Sequence, residues 1–113
     1  MMTDASARAA QVAALNDRLR REHKGGRLMM TATVAALGIK TRAALIAKLA
    51  AFDAFTEAND PYGEHDFGRI EHAGEVWLFK IDTYADATLT AGAEDPLAPE
   101  AVRVLTLMHE SDY

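Results

Sequence analysis

Phe67-Gly68-Arg69-Ile70-Glu71-His72-Ala73-Gly74-Glu75-Val76-Trp77-Leu78-Phe79-Lys80-Ile81-Asp82-Thr83-Tyr84 is the stretch on which the fold turns. From Glu75 to Tyr84 it alternates with period two, Trp77, Phe79 and Ile81 on one face and Val76, Leu78, Lys80 and Asp82 on the other. That pattern is a strand with its aromatic face against a core. Ala73-Gly74 separates it from residues 67–72, so the pair reads as a hairpin over 67–83. Phe67 and Ile70 fall on opposite parities, which requires either a bulge at Gly68 or one of the two outside the core.

Upstream of the hairpin the periodicity becomes helical. Val12, Leu15 and Leu19, set among many alanines, predict a helix over 4–23 that Gly25-Gly26 stops. Leu28, Met30, Ala32 and Val34 then alternate with Met29, Thr31 and Thr33, the period of a short strand. Thr41 is placed to cap a second helix, in which Leu45, Ile46, Leu49 and Phe52 recur every three or four residues as far as Phe55. Downstream, residues 85–99 lack a period and hold Gly92, Asp95-Pro96 and Pro99, as a surface loop does. Ala101, Val104, Leu105 and Met108 lie on one helical stripe, predicting a last helix. The sum is one α+β domain over 1–113: a small antiparallel sheet of about three strands with about three helices packed on one face.

A chain of 113 residues, half of them hydrophobic, suffices for a single core. With no cysteine, neither a disulfide framework nor a thiolate zinc site can form, and a metal would be held by His, Asp or Glu. No stretch approaches the roughly 20 apolar residues of a membrane span, and the start shows no basic-then-apolar leader, so the expected location is the cytoplasm. Charge is divided along the chain. Residues 1–50 carry nine Lys and Arg against Asp4, Asp17 and Glu22, a net of +6; the remainder carries 14 acids against Arg69, Lys80 and Arg103, a net of -11. If the poles stay apart, the acidic one attracts a cationic partner and repels nucleic acid.

Reactive side chains concentrate just before the hairpin, in Asn59-Asp60-Pro61-Tyr62-Gly63-Glu64-His65-Asp66-Phe67-Gly68. Pro61 and Gly63 mark a turn, which can aim Asp60, Tyr62, Glu64, His65 and Asp66 together. If residues 64–66 are extended, Glu64 and Asp66 face one side and His65 the other, so a metal there needs distant help from Asp60, His72, Asp82 or His109. The alternative is scaffolding: Asn59 or Asp60 caps the turn, Tyr62 packs as a lid, and His65 holds the hairpin by hydrogen bonds. A second cluster, Arg18, Arg20, Arg21, Lys24 and Arg27, surrounds the end of the first helix. It either contacts phosphate or simply opposes the helix dipole. No phosphate loop, dinucleotide fingerprint or HExxH pair is present, so no cofactor is implied, and Asp66-Phe67-Gly68 stands without the other elements of a kinase.

The ten-residue 59–68 motif, together with Leu15-Asn16-Asp17-Arg18-Leu19-Arg20, Val34-Ala35-Ala36-Leu37-Gly38, Lys80-Ile81-Asp82 and Val104-Leu105-Thr106, resembles a family of small alphaproteobacterial proteins of unknown function, often carried on plasmids and mobile elements. The resemblance covers almost the whole chain and implies a bacterial cytoplasm and a role in the conflict or upkeep of mobile elements. It carries over no catalytic residue. The resulting expectation is a non-enzymatic interaction module whose acidic second half contacts a basic protein partner, in an anti-defence or nucleic-acid-mimic role. Two alternatives stand beside it: a metal-assisted hydrolase on Asp60, Glu64, His65 and Asp66, and a nucleic-acid binder working through Arg18 to Arg27.

Overall fold

The computed structural model describes residues 3–113. Its elements are helix α1 (Asp4–Glu22), strand β1 (Arg27–Met30), the short helix α2 (Ala32–Ala35), helix α3 (Ile39–Ala51), strands β2 (Phe67–His72), β3 (Glu75–Tyr84) and β4 (Val102–His109), and a closing 3-10 turn (Glu110–Asp112). The four strands form one sheet in the order β1-β4-β3-β2. β2, β3 and β4 run antiparallel to their neighbours, whereas β1 joins β4 in parallel, so the sheet is mixed rather than wholly antiparallel and has four strands rather than three.

The hairpin forms as its sequence predicts. Ala73 and Gly74 both take positive φ (53° and 77°), and His72 faces Glu75 across the turn. Two left-handed residues between a facing pair match the twist of the strands they join. There is no bulge at Gly68: Phe67 faces Lys80 on the outer surface of the sheet, while Ile70 faces Trp77 in the core. Gly68 has a different task. A Cβ there would run into the Phe79 ring and lie 2.9 Å from Phe52, so its bare backbone is what lets Phe79 lie across the strand.

Residues 102–109 form β4 rather than the predicted helix. β4 is an inner strand, with Arg103, Leu105 and Leu107 on the helix-covered face and Val104 and Met108 buried on the other. A strand buried on both faces reads as a nearly unbroken apolar run, which imitates a helical stripe. β1 also ends earlier than its alternation implies. After Met30 the chain turns into α2, which buries Val34 from a helix instead. α3 begins at Ile39 behind Gly38, with Thr41 inside its first turn, and it stops at Ala51 rather than near Phe55.

The core lies between the helices and one face of the sheet. Leu19, Val34, Leu45 and Leu49 meet Ile70, Trp77, Phe79, Ile81, Leu105 and Leu107. Each such side chain is worth about 1.5–3 kcal/mol on burial. On α1 the buried stripe is Val12, Ala13, Asn16, Leu19 and Arg20, turned away from the expected Leu15, which stays at the surface. Two of its members are polar, and both lead to the 59–68 turn.

Candidate functional site

Arg20 is wholly buried, and its surroundings explain how a charge is held there. Nη1 donates to the carbonyls of Leu49 (3.2 Å) and Ala50 (3.1 Å), at the C-terminal end of α3, where a cation meets the negative end of the helix dipole. Nη2 donates to Asp17 Oδ1 at 2.9 Å, and the guanidinium lies 5.5 Å from the centre of the Phe55 ring. The Asp17 carboxylate in turn meets His65, whose Nδ1 is 2.9 Å away. Because a carboxylate only accepts, Nδ1 carries the proton of that bond. The far ring nitrogen, Nε2, lies 3.8 Å from Asp60. His65 is stacked on Phe55, ring centroids 4.0 Å apart and planes within 1° of parallel.

The turn is tied down at each end. Asn59 Oδ1 accepts from the Thr56 N–H and its amide donates to the Ala54 carbonyl. The Asp60 carboxylate, 6% exposed, accepts from the backbone N–H groups of Glu64 and His65 at 3.2 and 3.3 Å. From α1, Asn16 Nδ2 donates to the Glu64 carbonyl at 2.9 Å. His65 itself has φ +57°. A left-handed residue breaks the alternation of an extended chain, so the expectation that Glu64 and Asp66 share a side opposite His65 does not hold; β2 starts only at Phe67.

The carboxylates of the turn act on one another. Burial, followed by the charges of Asp66 and Asp60, holds Glu64 above the usual glutamate range. Asp66 is also pushed up, first by desolvation and then by Asp60 and Asp82, against the opposing pull of its own backbone N–H and of His65. Among the described residues no three His, Asp or Glu side chains gather as a metal-binding group. Asp82 is paired with Lys80, and His109 with Glu75 and Ser111, so neither adds a ligand beside Asp60.

Tyr62 takes no part in these contacts. It stands 80% exposed on the crest of the turn, and does not lie down as a lid. On one side a cleft of about 410 Å³ is bounded by Ser6, Ala9, Thr56, Glu57, Asp60 and His65. On the other a cleft of about 510 Å³ is bounded by Arg8, Val12, Pro61, Glu64, Glu94 and Pro96. Chemically, the contact of Nδ1 with Asp17 orients the His65 ring, but its far nitrogen faces Asp60 and the Ser6 hydroxyl is bonded to Thr3.

The basic cluster is divided. Arg18, Arg21, Lys24 and Arg27 are exposed, while Arg20 lies in the core out of reach of any phosphate. Sequence reasoning thus grouped Arg20 with the wrong neighbours and passed over Asp17 and Asn16. The available signal was the spacing Val12, Asn16, Arg20: polar residues four apart in register with an apolar one occupy the same side of a helix.

Fold and site together define a small α+β domain whose central turn is locked by contacts running from the buried Arg20 through Asp17 to His65 and displays one aromatic residue. Residues 30–112 match a family described as "Protein of unknown function (DUF3768)", and the chain belongs to that family. Neither a curated protein nor a solved structure gives a match. No helix among the described residues is long and apolar enough to cross a membrane.

Proposed function

We propose that the chain is a non-enzymatic interaction module in which the 59–68 turn presents Tyr62 to a protein partner with a basic surface. The observation that carries this reading is the contrast between Tyr62, 80% exposed, and the turn beneath it, tied by Asn59, Asp60, Asn16 and His65. A rigidly mounted aromatic side chain gives up little conformational freedom on binding, which is why tyrosine is favoured as an anchor. The sign of the partner follows from the clefts beside it. Glu57, Glu64 and Glu94 face them, and Arg8, the cation in their walls, is already paired with Asp95. Such a rim steers and selects a cationic surface. In the setting that the motif's resemblance implies, a mobile element in a bacterial cytoplasm, that surface belongs to a host protein with a basic groove.

Immobilised protein is to be exposed to bacterial lysate beside its Tyr62→Ala variant and a Glu57→Gln/Glu94→Gln variant, at low and high salt. The expected result is a basic protein retained by the native chain, released by salt, and retained poorly by both variants. Equal retention by all three chains would refute the proposal.

A further inference from the structure

The geometry points to self-association through the free edge of β2, two copies pairing antiparallel about a two-fold axis at Ile70. β2 is the outer strand of the sheet. His72 and Glu75 flank a two-residue turn and therefore exchange hydrogen bonds, so even-numbered β2 residues bond to β3 and odd-numbered ones point outward. Two contacts agree with this parity: the Asp66 carbonyl accepts from the Ile81 N–H, and the Glu71 carbonyl, facing away from β3, accepts from Lys48 Nζ at 3.0 Å. Among the described residues, Phe67, Arg69 and Glu71 make no backbone-to-backbone bond outside the hairpin.

An edge with outward N–H and C=O groups is a template for another strand. Arg69-Ile70-Glu71 makes this edge complementary to itself. With Ile70 opposite its own copy, Arg69 of each chain faces Glu71 of the other; these are the outward residues that can exchange hydrogen bonds. Their side chains lie on the sheet face without helices, 58% and 78% exposed and 3.1 Å apart within one strand, free to exchange that contact for a cross-strand one. Lys48 does not obstruct the pairing, since a carbonyl has a second lone pair. Ala44 and Ala51, about one turn to either side of Lys48 on α3, are small.

The test is sedimentation equilibrium on the full chain from micromolar to millimolar concentration, with Arg69→Glu, Glu71→Arg and the double swap. The native chain should approach twice the monomer mass. Each single variant places like charges opposite one another and should weaken association roughly tenfold, while the double swap restores it. Hydrogen exchange at the Arg69 and Glu71 amides should slow as native protein is concentrated. A native chain that stays monomeric throughout, single variants that associate as tightly as native, or a double swap that remains monomeric would each overturn the pairing.

Discussion

Asp17→Asn removes the one carboxylate that compensates a buried guanidinium. Asp17 is 18% exposed on its side chain and Arg20 is not exposed at all, so solvent screens the pair weakly. Breaking a buried pair from one side costs about 3–5 kcal/mol, because the remaining charge stays desolvated. Here Arg20 keeps its bonds to Leu49 and Ala50, which places the expected loss near the lower end, about 3 kcal/mol. That is a large fraction of the roughly 5–15 kcal/mol by which domains are stable. Arg20→Met removes the charge but keeps apolar volume against Phe55 and Phe79; it strands the Ala50 carbonyl, while that of Leu49 keeps the Phe52 N–H, a loss of about 1 kcal/mol. Once the guanidinium is gone Asp17 has less to compensate, so the double variant should lose about 2 kcal/mol less than the two single losses added. Urea unfolding followed by fluorescence reads all three, since Trp77 is the sole tryptophan and is 2% exposed. A loss under about 1 kcal/mol for Asp17→Asn, or additivity within about 0.5 kcal/mol, would refute this account of the Asp17–Arg20 pair.

Gly68→Ala drives a methyl group into the Phe79 and Phe52 rings and should cost about 1–3 kcal/mol, read as a lower thermal midpoint. Glu64 and Asp66 have raised folded-state pKa values, so their contribution to stability is fully present below their unfolded pKa values and is lost as pH rises through the folded ones. Glu64→Gln and Asp66→Asn should therefore stabilise the protein at neutral pH and flatten the decline that a urea series shows from about pH 4 upward. Asp112 runs the other way: hydrogen bonds from Thr31 and Thr33 lower its pKa, so its contribution is lost as pH falls through that value. Asp112→Asn should remove that acid-side dependence and speed amide exchange at Thr31 and His109.

Legibility in the sequence followed the number of faces an element buries. β3, α1 and α3 each keep an apolar side and a wetter one, and their periods were readable. β4 is buried on both sides, and its pattern of Val104, Leu105 and Met108 fitted a helix equally well. The place of the site was legible because turn-forming residues sit among reactive ones. Its partners were not, since Asp17 and Arg20 lie more than 40 residues from His65, and only the packing of α1 beside α3 and the turn brings them together. The orientation of His65 was lost for a local reason: a left-handed backbone is uncommon for any residue but glycine, and here the Asp60 carboxylate holds it by accepting the His65 N–H.

The parallel pairing of β1 with β4 also sets a timetable. In the order of synthesis Arg27 comes early, yet its place in the sheet is beside Val104. At about 5–20 residues per second, β1 waits roughly 4–15 seconds for the neighbour that gives it a sheet to join. Through that interval α1 and the β2–β3 hairpin can form from nearby residues, but Leu28 and Met30 have no Leu105 and Leu107 to face. The nascent chain thus carries an unpaired apolar segment for seconds, and the last strand made is the one that inserts at the centre and closes the sheet.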